Sequence, residues 1–302
     1  MINIAVVLLT CKQQKDVTLQ CLESFENVEF DRINILVWDN NSTDGTEAAV
    51  RKNFPNVEVQ RSEENLGAAG GRNAGAQAAI NLWNPEFLLF LDNDTVVTPN
   101  FIGNLVKPFQ ESPDIGITTP KIHFLADPER IDSAGGCLVQ FHLGQTPAVG
   151  SGEVDRGQYD LQTDCIPGGC CMLIRTDVFT AVEGFDTDFN PYGFEDLDFS
   201  LRVKKAGYEC VYVPDALIYH AESQTFESGQ YTSIYGQQKA KNWYRFVQKN
   251  ANPSRKAAFW LFAVPLRLLS AAVREIRRGN LGALFGLLSG GWNALVKRSS
   301  SQ

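Results

Sequence analysis

No stretch of about 20 uninterrupted apolar residues occurs in the 302-residue sequence, so no membrane-crossing helix is expected. The opening Met1-Ile2-Asn3-Ile4-Ala5-Val6-Val7-Leu8-Leu9 has no basic segment ahead of its short apolar run, and reads as a strand rather than a secretory leader. Basic residues are not in excess: 27 Lys and Arg stand against 35 Asp and Glu, a net charge of −8, which argues against nucleic-acid binding. The seven cysteines show no Cys-x-x-Cys or other metal-ligand spacing, and Cys11, Cys21, Cys137, Cys171 and Cys210 lie in apolar or strand-like surroundings. They read as small core residues of a reducing cytoplasm, not as a disulfide framework. Internal repeats and low-complexity segments are also missing, which leaves a globular chain with ample core for one large or two moderate domains.

What is present begins with rhythm. Strands are expected at 2–9, 33–38, 57–61 and 87–91, separated by helices near 15–27, 43–53 and 70–83. This alternation predicts an α/β fold with a doubly wound, mostly parallel sheet and right-handed crossovers. From 96 to about 225 the pattern is mixed. Pro99 opens a helix, and Ile115–Thr119, Cys137–Phe141, Thr163–Arg175 and Cys210–Val213 look strand-like. Residues 144–162 read as a polar loop and Glu195–Ala206 as a helix, and beyond about 230 the chain reads as helical with a break at Asn252-Pro253. The expected parts are therefore 1–95, 96–228 and a helical 229–302.

Five apolar residues, Phe87-Leu88-Leu89-Phe90-Leu91, run into Asp92-Asn93-Asp94. In open α/β sheets ligands collect outside the carboxyl ends of the strands. Two acids at i and i+2 there fit either an Asx-turn or a hard divalent cation, because unpaired they repel. Asp39 ends the second strand on the same sheet edge, where a carboxylate accepts hydrogen bonds from a pyrimidine or a ribose. Asp44 is expected to cap the following helix. Asn65-Leu66-Gly67 through Arg72-Asn73-Ala74-Gly75 enters a helix whose N-terminus, with Arg72 beside it, suits a diphosphate. The same small residues equally suit tight helix–sheet packing, and the segment is not a dinucleotide fingerprint. Glu195 and Asp196 follow an aromatic, Gly-containing loop, a place for a general base. Asp198 and Arg202, at i and i+4, read as a surface or supporting pair. His220 after Ile218-Tyr219 is either structural or the completion of a metal site. His123 and His142 are read as structural.

In order and spacing, these segments resemble the family 2 inverting glycosyltransferases of GT-A fold, most closely the bacterial rhamnosyltransferase-like branch that builds surface polysaccharides. The resemblance covers residues 3–250. It rests on Asp39-Asn40-Asn41-Ser42-Thr43-Asp44-Gly45, Asn65-Leu66-Gly67, Asn73-Ala74-Gly75, Asp92-Asn93-Asp94, Gly168–Arg175, Gly184-Phe185-Asp186, Glu195-Asp196-Leu197-Asp198 with Arg202, and His220. It implies that Asp92 and Asp94 bind Mg2+ or Mn2+ on a dTDP- or UDP-sugar, with His220 as a further ligand. Thr10, Asp39, Asn65, Gly67, Arg72, Asn73 and Asn93 would be donor-side residues, Asp196 the catalytic base, and Glu195 its support. The family's Thr-Tyr-Asn after the first strand is here Thr10-Cys11-Lys12, so the aromatic at that point is absent.

Bottom-up chemistry points the same way, since displacement at an anomeric carbon needs a stabilised leaving diphosphate and a deprotonated acceptor hydroxyl on the opposite face. A sugar-nucleotide pyrophosphorylase would need a Gly-rich, Arg-containing loop after the first strand, which Leu9-Thr10-Cys11-Lys12-Gln13 is not. A non-catalytic nucleotide-sugar-binding protein would share these motifs. Residues 251–302 carry eight Lys and Arg against one acid, Glu275, leaving a net −15 on the first 250. Lys256, Arg267, Arg274 and Arg278 fall on one helical stripe beside apolar faces, and Leu281–Val296 is apolar and Gly-rich. Peripheral contact of 255–298 with the inner face of the cell membrane is expected, serving a saccharide or lipid-linked acceptor; packing between copies in a homo-oligomer is the other reading.

Overall fold

The computed structural model describes residues 2–221 and 233–266, together with isolated positions 269, 270, 273 and 285. The chain divides into two compact units. The first holds Met1–Cys137, Pro147–Asn190 and Glu195–Gln224, and the second Leu138–Thr146, Pro191–Phe194 and Thr225–Gln302.

In the first unit β1 (Ile4–Thr10), β2 (Ile33–Asp39), β3 (Glu58–Arg61) and β4 (Phe87–Asp92) alternate with α1 (Lys15–Ser24), α2 (Thr46–Asn53) and α3 (Gly67–Trp83). Short β5 (Thr95–Val97), α4 (Phe101–Glu111), β6 (Ile115–Phe124), β7 (Ile131–Ala134), β8 (Thr163–Asp164) and β9 (Cys171–Arg175) follow. Then come α5 (Thr176–Ala181), α6 (Glu195–Lys205) and the long β10 (Glu209–His220). One sheet runs β3-β2-β1-β4-β9-β6-β10-β5, with β7 on β6 and β8 on β10. The β3-β2-β1-β4 half is parallel throughout. β9 is antiparallel to both β4 and β6, and β10 returns parallel to β6.

Strand alternation builds the layers. Ile4, Val6 and Leu8 of β1 point to a core shared with Cys21 and Leu22 of α1 and with Phe101 and Leu105 of α4. Ala5 and Val7 point to the opposite core, with Ala69, Ala76 and Ala79 of α3 and Phe179 and Phe199 of α5 and α6. Strands buried on both faces explain the unbroken apolar runs of β1 and β4. The small residues of α3 set how closely it lies on the sheet. A Cβ on Gly71 would stand 2.6 Å from Leu9 Cδ1, and one on Gly75 2.7 Å from Val7 Cγ1.

Several expectations are corrected. Cys137–Phe141 is not a strand: it makes only isolated bridges, Cys137 to Ala148 and Gln140 to Gln145. Gly135 and Gly136 just ahead of it, both at positive φ (92° and 94°), end the extended run. β6 continues past Thr119 through Pro120 to Phe124, and β10 continues past Val213 to His220. The ladder tolerates Pro120 and Pro214 because its register shifts between Val213 and Leu217, an irregularity of the kind that accommodates proline.

The second unit contains α7 (Ser233–Asn250) and α8 (Pro253–Ala258), the latter capped by Asn252, whose side chain accepts from the Arg255 N–H. Phe246 of α7 stacks with Phe141 and Phe194, at ring-centroid distances of 5.5 and 5.2 Å. Trp243 packs edge-on to Phe259 at 4.6 Å. The buried Asn242 amide donates to the carbonyls of Tyr192 (2.9 Å) and Gly193 (3.3 Å). After α8 the helix widens into a π-type turn, Phe259–Ala263. Arg267, Arg274, Arg278 and all but one position of Leu281–Val296 lie outside the described residues.

Candidate active site

Parallel pairing of β1 with β2 and β4 sets Thr10 beside Asp39 and Leu9 beside Asp92, so the chain ends of three strands share one sheet edge. Thr10 is buried with its hydroxyl 3.1 Å from that of Thr18. Asp39 is fully buried; Oδ1 accepts from the Ser42 N–H at 2.7 Å and Oδ2 pairs with Arg61 at 3.4 Å. Asp44 accepts from Thr46 N–H and Lys15 N–H and so fixes the starts of both α2 and α1, a capping role by geometry.

Asn65, Gly67 and Asn73 make local structure around α3. Asn65 Oδ1 accepts from Asn40 Nδ2 and from the Gly67 N–H, and Gly67 opens the helix. Asn73 bonds the Phe185 backbone in both directions, at 2.8 Å each. Asn93 is buried, with Nδ2 donating to Thr18 Oγ1 at 2.8 Å and to Thr10 Oγ1 at 3.3 Å, which pins the Asp92–Asp94 turn to β1 and α1.

The acids converge. β5 pairs antiparallel with the end of β10, His220 opposite Thr95, and the Ala221 N–H donates to the Asp94 carbonyl. His220 Nε2 consequently lies 3.3 Å from Asp94 Oδ1. Its Nδ1 is 2.7 Å from Oδ2 of Asp132 on β7. Burial alone would lower the His220 pKa, but hydrogen bonds to Asp132 and Asp94 and the charge of Asp92 raise it to about 10. Asp92 is pushed up by burial and by Asp94, against the pull of Arg72 and His220.

Arg72 is the hub. It lies in the second turn of α3, buried, with Nη2 2.8 Å from Asp92 Oδ1 and Nη1 2.9 Å from Glu195 Oε1. In this structure its guanidinium spans Asp92 at the end of β4 and Glu195 in the first turn of α6. Nη2 also lies 3.4 Å from the Gly169 carbonyl. The Gly169 N–H donates to Asp196 Oδ2 at 2.7 Å, while Asp196 Oδ1 accepts from Leu197 N–H. Glu195 is buried and Asp196 partly exposed. Asp198 is buried and pairs with the half-buried Arg202 at 2.8 Å, the supporting alternative of the two readings of this pair. Arg202 also donates to the Val182 and Gly184 carbonyls, so the pair ties α6 to the 182–184 turn.

Sequence reasoning passed over two residues at this site. Asp132 sits in a four-residue strand too short to show a period. Cys170 carries an atom within 4.8 Å of ligand atoms of both Asp92 and His220. Burial, then the charges of Asp92, Asp94 and Asp132, push its thiol pKa well up. Within the motif Gly168–Arg175, only the neighbouring Cys171 had been singled out as core.

Among known proteins, the family model described as glycosyltransferase like family 2 matches residues 3–244. This chain belongs to that family. The transferase is 28% identical over 214 residues to the N-acetylglucosaminyl-diphospho-decaprenol L-rhamnosyltransferase of Mycobacterium tuberculosis, an overlap covering 64% of this chain and 68% of the relative. The fold is GT-A. It superposes on GalNAc-T7 with UDP, GalNAc and Mn2+ at a TM-score of 0.64 and 17% identity, covering 82% of this chain but only 48% of that one. It also superposes on the mannosyltransferase PcManGT of Pyrobaculum calidifontis, in complex with GDP-Man and Mn2+, at a TM-score of 0.56 and 16% identity, covering 97% and 87%.

Carboxylates and an imidazole are donor types a divalent cation takes: Asp94 lies 3.3 Å from His220 Nε2 and Asp132 fixes the ring from behind, while among the described residues the three whose ligand atoms all lie within 4.8 Å of one another are Asp92, Cys170 and His220.

Proposed function

We propose that this transferase moves a sugar, with inversion and with help from a divalent cation, from a dTDP- or UDP-sugar to a saccharide acceptor carried on a lipid, in surface polysaccharide synthesis. The observation that supports the reading is that two separate groups of carboxylates, one at the sheet edge and one in the first turn of α6, are joined by one arginine and one glycine. Asp92 and Asp94 stand with His220, while Asp196 stands apart at the start of α6, and Arg72 and Gly169 join the two.

In this scheme Asp92, Asp94 and His220 hold Mg2+ or Mn2+, which when bound neutralises charge on the leaving diphosphate. Thr10 and Asp39 line the nucleoside end, and Asn65, Gly67, Asn73 and Asn93 shape the donor wall. Asp196 takes the proton of the acceptor hydroxyl as the new bond to the anomeric carbon forms and the bond to the diphosphate oxygen breaks. The electron pair of that bond leaves with the diphosphate, and one displacement inverts the centre. The Gly169 N–H and the Leu197 N–H donate to the two oxygens of the Asp196 carboxylate and orient it. Glu195 supports it by anchoring Arg72.

The test separates binding from transfer. Asp196→Asn is expected to keep donor and cation affinity while transfer falls by ~10²–10⁴, the usual worth of a positioned general base. Asp198→Asn, which weakens the buried pair with Arg202, is expected to lower thermal stability more than turnover. Transfer by Asp196→Asn at near wild-type rate refutes the base assignment. Donor binding by the wild type with no turnover on any acceptor favours a non-catalytic binding protein.

Lipid contact is the reading for the tail. Leu261, Phe262, Leu266 and Leu269 are more than half exposed on the segment after α8 (68, 62, 63 and 64%), an apolar surface with Lys256 just before it. The M. tuberculosis relative acts, by its name, on a decaprenol-linked substrate. No helix among the described residues is long and apolar enough to cross a membrane, so the attachment would be peripheral, from the inner face.

A further inference from the structure

Cys170 has no part in the transfer scheme, yet it sits at the cation-type acids. The Asp92 N–H donates to its carbonyl at 2.9 Å, which fixes the chain ends of β4 and of the segment leading into β9 side by side. Among the described residues, the one group of three His, Cys or acid side chains whose ligand atoms all lie within 4.8 Å of one another is Asp92, Cys170 and His220. A zinc-type ion with bonds of about 2.0–2.3 Å needs its donors roughly 3.3–3.8 Å apart, so donor movements of about 1 Å close the set.

Two donor sets therefore overlap. Asp94, 3.3 Å from His220 Nε2, would with Asp92 and His220 offer oxygen and one imidazole on a wider spacing than the group with Cys170, a set for Mg2+ or Mn2+. Cys170, Asp92 and His220 offer sulfur, oxygen and imidazole, a set that selects thiophilic ions. His220 has one nitrogen to give, because Nδ1 is held by Asp132 at 2.7 Å. The two ions must compete for it.

We propose that Cys170, His220 and Asp92 form a thiophilic-metal site that captures Zn2+ or Cd2+ in place of the hard cation. Binding replaces the thiol proton, which passes to solvent, with a sulfur–metal bond; nothing is oxidised or reduced. Capture itself does not depend on the transfer reading. Only its consequence does: an ion held by Cys170 is drawn away from Asp94 and the diphosphate, and transfer stops.

The experiment uses the full chain, reduced and metal-free, titrated with Cd2+ while the ultraviolet sulfur-to-cadmium charge-transfer band is followed. The expected result is a single-thiolate band saturating at one equivalent in the wild type and missing from Cys170→Ser, with Mn2+ affinity in that variant unchanged. Cys170→Ala serves if the serine variant does not fold. Asp132→Asn is expected to weaken Cd2+ binding by about 10–100-fold, since it releases the ring that presents the nitrogen. Absence of a band in the wild type, or an undiminished band in the Cys170 variants, overturns the proposal. Both outcomes are read without any activity assay and without Mn2+, so they stand apart from failure of the transfer scheme.

Discussion

Replacing Arg72 with glutamine, whose side chain ends two bonds short of the guanidinium nitrogens, removes both the charge between Asp92 and Glu195 and the two contacts that carry it. The guanidinium meets one carboxylate at 2.8 Å and the other at 2.9 Å and is itself buried. At the effective dielectric suited to such sites, each unit-charge pair at ~4 Å is worth about 4 kcal/mol before desolvation is counted. Removing one partner of a buried pair costs about 3–5 kcal/mol, because the charge left behind has no compensation. Here two carboxylates are left, with Asp94 close enough to push Asp92 up further. For a domain of this size each kcal/mol shifts the melting temperature by about 2–4 °C, so the metal-free variant should melt roughly 6–20 °C below wild type. A divalent cation held by Asp92 and Asp94 restores a positive charge to one end of the broken bridge. Saturating Mn2+ is therefore expected to recover a larger part of the lost stability in the variant than it adds to the wild type. Differential scanning calorimetry of both proteins, with chelator and with Mn2+, makes the comparison. Equal Mn2+ shifts in the two proteins, or a variant as stable as wild type without metal, would refute the view that Arg72 serves as fixed counter-charge to the cation carboxylates.

Lys121 of β6 is buried against Asp155 (2.9 Å) and Asp160, and His123 faces Asp155 at 3.0 Å, so this cluster clamps the 153–160 loop to the sheet. Burial would raise the Asp155 pKa, but hydrogen bonds from Lys121 and the Gly157 N–H lower it; burial would lower that of Lys121, but its bonds to Asp160 and Asp155 raise it. Asp155 then adds stability above its unfolded value near ~3.9 that is lost as acid passes its lower folded value, and Lys121 adds stability below ~10.4 that is lost above its raised one. Melting curves are expected to show Asp155→Asn with a flatter acid limb than wild type; identical limbs would remove the clamp from the account. Truncation after Val264, chosen because Phe259 and Ala263 are buried and must stay, is expected to reduce binding to anionic liposomes sedimented at low salt. A full chain that never sediments with such vesicles would make the tail a packing element.

The parallel half of the sheet was legible because strands buried on both faces leave unbroken apolar runs, and Phe87–Leu91 led directly to the carboxylates at its end. What stayed hidden was short or conditional on pairing. β5 and β7, of three and four residues, have too few positions for a period to show, yet they deliver His220 to Asp94 and Asp132 to His220. The extended reading of Cys137–Phe141 failed where side-chain packing overrode local preference, with Phe141 stacked on Phe246 in the second unit.

Arg72 carries the sharper lesson. An arginine near a glycine-rich helix start has the same local signature whether it meets a diphosphate or a pair of carboxylates. What separates the two is the position of Glu195, 123 residues away along the chain and 2.9 Å away in the fold. The same contact links the acids proposed to hold the cation to the first turn of the helix that carries the proposed base. Loss of the bridge is therefore expected to reach both sides of the reaction: donor affinity through Asp92, and transfer through the placement of Asp196 by α6. A substitution at Asp94 should weaken cation-dependent donor binding and, through the lost charge neutralisation on the leaving diphosphate, turnover with it, whereas one at Asp196 should lower transfer and leave donor affinity in place.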